Sequence, residues 1–184
     1  MKSPLFLFGL LVLLNSCNDN VVPKPNAYLS LSYPKATYQK SSEALPYRFQ
    51  YSVQAILNIK PRSWSDLQYP DLKAELNMTY QKVDKDIMRL FLDAEKLTYK
   101  HALKADRIEM HPYENKSKKV YAKIFEVTGD VASAIQFQAT DSTKHFLSGA
   151  LYFDASPNYD SILPAIDYLK KDIETLIETL EWKH

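Results

Sequence analysis

Residues Val120–Asp154 read VYAKIFEVTGDVASAIQFQATDSTKHFLSGALYFD. Three runs rich in β-branched and aromatic residues are separated by two clusters of turn-forming residues, the pattern of short strands joined by hairpins. Gly129-Asp130 suits a two-residue hairpin turn, because glycine supplies the positive φ such turns require. Asp141-Ser142-Thr143-Lys144 is the second turn, built from residues whose short side chains bond their own backbone. The stretch therefore predicts a three-strand antiparallel meander over 119–128, 131–140 and 145–154.

Ser156-Pro157-Asn158 breaks the chain after the meander, and the apolar period then changes from two to about 3.6. Ile162, Ala165, Ile166, Leu169, Ile173, Leu176, Ile177 and Leu180 form one helical stripe. A helix is expected from a cap at Asp160 or Ser161 through about Trp182, with Pro164 in its first turn. Before the meander, Leu72–Tyr80 (LKAELNMTY) alternates cleanly, with Leu72, Ala74, Leu76, Met78 and Tyr80 inward and Lys73, Glu75, Asn77 and Thr79 outward. A second helical stripe follows from a cap at Asp84 through about Ala105, carrying Ile87, Leu90, Phe91, Ala94, Leu97, Thr98 and His101. Further strands are expected at Tyr28–Tyr33, Tyr47–Tyr51, Ala55–Ile59 and Arg107–Tyr113. The sum is an α+β fold: a mostly antiparallel sheet with two long amphipathic helices covering one or both of its faces.

The amino terminus reads MKSPLFLFGLLVLLNSC. The apolar run Leu5–Leu14 would make a helix of about 15 Å, half of the ~30 Å hydrocarbon core, too short to span it. One basic residue, a short apolar stretch and a small residue before the cut are the parts of a secretory signal peptide. Leu14-Asn15-Ser16-Cys17 resembles a lipobox, with Asn15 departing from its usual pattern. Residues 1–16 are expected to be cleaved. Cys17, the single cysteine of the chain, is expected to carry lipid, and several acyl chains give a stable anchor. Residues 17–27 then serve as lipidated cysteine and linker, and residues 28–184 as a single α+β domain.

Composition removes several functional classes. The chain holds 23 Lys+Arg against 22 Asp+Glu, and losing Lys2 with the leader leaves it formally neutral. A neutral protein offers no broad basic footprint, so no nucleic acid is expected as partner. Of three glycines, only Gly129 and Gly149 lie beyond the leader, too few for a phosphate-cradling loop. His101, His111, His145 and His184 share no metal-ligand spacing, and no metal or cofactor is expected. Asp141, Ser142 and His145 invite a catalytic-triad reading, but they lie in one tight turn, whereas a triad converges from separate elements on an oxyanion hole. No G-x-S-x-G elbow occurs.

The words TDSTKHFLSGALYF and PNYDSILP, with YLSLSYP at 28–34, YPDLKAELNMTY at 69–80 and DAEKLTYKHALKAD at 93–106, resemble the gliding-motility lipoprotein GldD family. The resemblance covers nearly the whole chain after Cys17. It implies a lipid-anchored cell-envelope component required for gliding motility. Such a component would be an assembly or stabilising accessory of a machinery tied to type IX secretion, with other envelope proteins as partners and no enzymatic activity. An outer-membrane anchor facing the periplasm is favoured, with the inner membrane the alternative. Asp141, Ser142, His145, Asn158 and Tyr159, in the two most specific words, are expected to form an interaction surface that tolerates substitution at Ser142 and His145. The order of elements is also similar to Mog1/PsbP-like domains. A tethered periplasmic ligand-binding or hydrolytic domain is the alternative.

Overall fold

The structure is a computed structural model that describes residues 32–100, 105–154 and 159–183; the side chains of 97, 98 and 100 are not described. Its elements in chain order are β1 (Tyr38–Lys40), β2 (Tyr47–Arg48), β3 (Gln50–Ser52), β4 (Ile56–Ile59), β5 (Ser65–Tyr69), β6 (Ala74–Lys82), α1 (Ile87–Lys100), β7 (Arg107–Asn115), β8 (Val120–Thr128), β9 (Ser133–Thr140), β10 (His145–Phe153), α2 (Tyr159–Thr179) and β11 (Glu181–Trp182). Seven strands form one sheet in the order β4-β5-β6-β10-β9-β8-β7, antiparallel at every pairing. The expected meander is its heart. Strands β8, β9 and β10 lie side by side, and β6 pairs with the far side of β10 in an unbroken register from His145↔Lys82 to Phe153↔Ala74.

Residues that alternate along a strand point to opposite faces, and each face here has a helix. The first face presents Leu76 and Met78, Leu147 and Leu151, Ile135, Phe137 and Ala139, and Ala122 and Ile124. They share a core with Ile166, Leu169, Ile173, Leu176 and Ile177 of α2. At about 1.5–3 kcal/mol for each large apolar side chain buried, this layer supplies most of the driving force for folding. Phe137 lies opposite Gly149 in the ladder, and a Cβ at 149 would come within 2.2 Å of the Phe137 ring. Only glycine admits that ring. The second face carries α1, which crosses the sheet between β6 and edge strand β7. Its Phe91 meets Phe146 edge-on at 5.2 Å between ring centroids.

Several local expectations need correction. The 47–51 strand divides at Phe49, because β2 pairs with β11 and β3 pairs with β1. Of the strand expected at 28–33, residues 28–31 lie outside the described residues, and Ser32 and Tyr33 belong to no strand. Asp84 does not cap α1. Asp86 immediately precedes the helix, and its carbonyl accepts the Leu90 N–H at 3.1 Å. Asp160 and Ser161 lie inside α2 rather than capping it, and Pro164 falls in the second turn, where its missing N–H removes one helical bond. Helix α2 stops at Thr179 because the next residues form β11 against β2. The Gly129 turn spans four residues, with Gly129 at φ 107 and the Val131 N–H bonded to its carbonyl at 2.8 Å.

Candidate functional site

Asp141 starts the β9–β10 turn and organises it. Its Oδ1 accepts the N–H groups of Thr143 (2.9 Å), Lys144 (2.7 Å) and His145 (2.8 Å), while Oδ2 accepts the Thr143 hydroxyl at 2.9 Å. Burial pushes the carboxyl pKa up, but these donors outweigh it and hold the group below its ordinary value. Ser142 takes φ 68 at the exposed tip. The turn chemistry legible in the sequence is thus spent on closing the hairpin.

His145 begins β10 and points inward, 6 % exposed. Its Nδ1 lies 2.8 Å from the Tyr80 hydroxyl. Its ring stacks on Trp182, 5.2 Å between centroids and 9° from parallel. Trp182 in turn donates its indole N–H to the Lys119 carbonyl at 3.0 Å and meets Tyr47 edge-on. Tyr47 stacks on Tyr80 and contacts the Ser65 hydroxyl at 3.0 Å; burial raises its pKa to about 12. The effect is to clamp β11 onto the sheet end. Outside the clamp, Ser117, Lys118, Lys119, Asp141, Glu181 and Trp182 border a groove of about 260 Å³, with Lys118 paired to Glu181 at 3.3 Å.

The expected surface is therefore only partly a surface. Asp141 and His145, expected in an interaction surface, are buried, one closing the turn and the other filling the clamp. Ser142 is exposed. Tyr159 is half-buried at the start of α2, its N–H bonded to Asp130 at 3.3 Å. Asn158, Cys17 and His101 lie outside the described residues. Nδ1 of the His145 ring meets the Tyr80 hydroxyl, while the Asp141 carboxylate accepts from the His145 main-chain N–H. Among the described residues, no group of three His, Cys, Asp or Glu is placed to hold a metal ion. No helix among them is long and apolar enough to cross a membrane.

A second polar centre escaped the sequence reading. Asp172 of α2 is 2 % exposed, although the helix pattern alone marks it as one more surface acid. The Tyr38 hydroxyl donates to its Oδ1 at 3.0 Å, and the hydroxyls of Ser52 and Tyr69 also face it; burial raises its pKa. Burial, followed by the Asp172 charge, pushes the Tyr69 phenol up as well. One turn away, Tyr168 stacks on Tyr33 at 4.7 Å and 17°. Tyr33, ahead of the first strand, is thus packed against α2.

The family described as Gliding motility lipoprotein GldD matches residues 18–182. The chain belongs to that family. The match spans the sheet, both helices and the β11 clamp, so this GldD-family chain is a gliding-motility-related lipoprotein, and its class implies a lipid-anchored place in the cell envelope. The family is not a known enzyme family. No curated protein matches the chain.

Proposed function

We propose that this GldD-family protein is a lipid-tethered accessory that assembles or stabilises the gliding machinery, and with it type IX secretion, by binding other envelope proteins. The observation that carries the reading is the family match beginning at residue 18, directly after Cys17. Cleavage before Cys17 and acylation of its thiol and new amino group would leave residues 17–27 as a linker and 28–184 as one folded domain facing the periplasm, with the outer membrane favoured. The Mog1/PsbP-like comparison accompanies this reading as a fold-level analogy for a non-catalytic binding domain.

Two exposed apolar areas among the described residues support a docking role. Met88, Leu92 and Tyr99 are 69 %, 55 % and 56 % exposed on the outer side of α1, and Ile56, Ile59 and Trp64 are exposed at the β4 edge. An apolar edge strand with unpaired backbone groups is a template for a partner. Crosslinking the tethered protein in intact envelopes, followed by its capture in detergent, tests the proposal. Recovery of motility or secretion components is expected, with yield falling when Leu92→Glu or Ile56→Lys is introduced. Recovery of none of them from a motile strain would contradict it.

A further inference from the structure

The seven-stranded sheet ends in β7 on one side and β4 on the other, and the two edges carry opposite chemistry. Strand β7 holds Pro112, which has no N–H to offer, and Arg107, Glu109, His111 and Glu114. Arg107 pairs with Glu109 at 2.7 Å and His111 with Glu126 at 2.9 Å. Proline and charge are the devices by which a sheet edge refuses a further strand. Strand β4 reads Ile56-Leu57-Asn58-Ile59, with neither proline nor charge, and Val53, Ile56, Ile59 and Trp64 around it are exposed.

The β4 backbone sets how another strand can join. The Lys60 N–H bonds to the Trp64 carbonyl at 2.8 Å, continuing the register that runs from Ile56↔Gln68 to Ile59↔Ser65. Backbone groups alternate in direction along an antiparallel strand. Ile56, Asn58 and Lys60 therefore turn theirs toward β5, and Leu57 and Ile59 turn theirs outward. Among the described residues, no strand lies beyond β4.

This outward array is self-complementary. A second copy laid antiparallel and centred on Asn58 sets Leu57 opposite Ile59 of that copy, and each pair exchanges both of its hydrogen bonds. Every outward N–H and carbonyl of β4 is then satisfied. The side chains agree with that register. Leu57 and Ile59 meet on the face that carries α2, Asn58 meets its counterpart amide on the other face, and Ile56 stands opposite Lys60, so no like charges oppose one another. The neighbouring two-fold registers are poorer. Centring on Leu57 calls on the Ala55 N–H, which is already bonded to the Ser52 carbonyl at 3.0 Å. Centring on Ile59 sets Leu57 opposite Pro61, which has no N–H.

We propose that the β4 edge pairs with the β4 edge of a second copy of this chain, in the two-fold register centred on Asn58, so that two sheets become one. This occupancy rests on the β4 edge being a docking surface, as proposed above, and leaves the outer side of α1 to other envelope proteins. The ladder is short, less than the ~800 Å² per partner of a standard stable interface. Pairing is therefore expected where copies share one membrane surface and a high effective concentration.

Disulfide trapping in intact envelopes tests it. In this register the two copies of residue 58 face each other as a non-hydrogen-bonded pair with Cα atoms about 4.5 Å apart, within disulfide reach. The two copies of residue 56 are offset by about 13 Å along the strands, beyond that reach. Under mild oxidation Asn58→Cys should give a homodimer on a non-reducing gel, in at least tenfold the yield of Ile56→Cys. The parent chain, whose single cysteine is Cys17, should give none. A route that leaves Asn58 unchanged uses two differently tagged copies, one Leu57→Cys and the other Ile59→Cys, which should form the mixed dimer. Absence of both dimers at parent protein levels, or equal yield from Ile56→Cys or the parent, would overturn the pairing. An Asn58→Cys disulfide to a different envelope protein in place of the homodimer would also overturn it while leaving the docking role intact. Failure of the docking role shows differently: the homodimer forms, but no motility or secretion component is captured.

Discussion

His145 and Trp182 lie face to face, 5.2 Å between ring centroids and 9° from parallel. Through that contact the last strand of the chain is fastened to the first residue of a central strand. Trp182→Ala removes the stack, the edge contact with Tyr47 and the indole hydrogen bond to Lys119. It should cost about 3–5 kcal/mol in urea unfolding. His145→Ala should cost about 2–3 kcal/mol, because the Tyr80 hydroxyl loses its partner as well. Tolerance at His145, which the sequence suggested, is not expected. Loss of motility in His145→Ala should track loss of folded protein, as measured by immunoblot after limited proteolysis.

Ser142 behaves differently. It is exposed at φ 68, where glycine sits without steric cost. Ser142→Gly should leave stability unchanged within about 0.5–1 kcal/mol and leave motility intact. A motility defect in Ser142→Gly or Ser142→Ala at normal protein level would revive the hydrolytic alternative.

The Asp141 carboxyl titrates below its ordinary value of 3.8 in the folded protein. The unfolded chain then binds more protons between the two values, so stability is present above the ordinary pKa and is lost as pH falls through the folded one. Asp141→Asn keeps an acceptor oxygen but no charge. It should flatten the acid limb of stability against pH and cost about 2–3 kcal/mol at neutral pH. Urea midpoints recorded from neutral to acidic pH check both effects.

Asp172 has the opposite sign. Its pKa is raised above 3.8 by burial, so the folded state holds the proton that the unfolded state releases, and stability falls as pH rises through that window. Asp172→Asn should remove this slope and match or exceed the parent in stability at neutral pH, because Asn still accepts from Tyr38. A strongly destabilised Asp172→Asn at neutral pH would contradict the assignment.

Gly149→Ala should destabilise by about 1–3 kcal/mol or more, because its Cβ would sit 2.2 Å from the Phe137 ring, an overpacking effect. Phe137→Leu introduced with it should recover part of the loss. Additive destabilisation in the double variant would show that the ring is not the obstacle.

The central fold was legible where one physical rule dominated. Alternation gave β6, β8, β9 and β10 within about two residues, and the Ile162–Leu180 stripe gave the buried side of α2. Boundaries failed where a distant partner decided them. Trp182 extends the helical pattern, yet pairing with Tyr47 turns it into a strand residue. Asp172 lies on a helix rich in acids, and its burial depends on partners distant in the chain, Tyr38, Ser52 and Tyr69. Asn77 and Thr79 occupy positions that alternation marks as outward. They face a cavity because α1 crosses over them, and no local pattern reports a crossover. The turn at Asp141–Lys144 was legible from its residue types, but the inward clamp of His145 was not, because its partners Tyr80 and Trp182 are distant in the chain.

The account rests most heavily on Cys17. Mass spectrometry of the amino-terminal peptide of the protein extracted from envelopes tests it directly. The account predicts a mature chain beginning at Cys17 with acyl groups on its sulfur and its amino group. A chain beginning at any other residue, or at Cys17 with a free thiol, would contradict it.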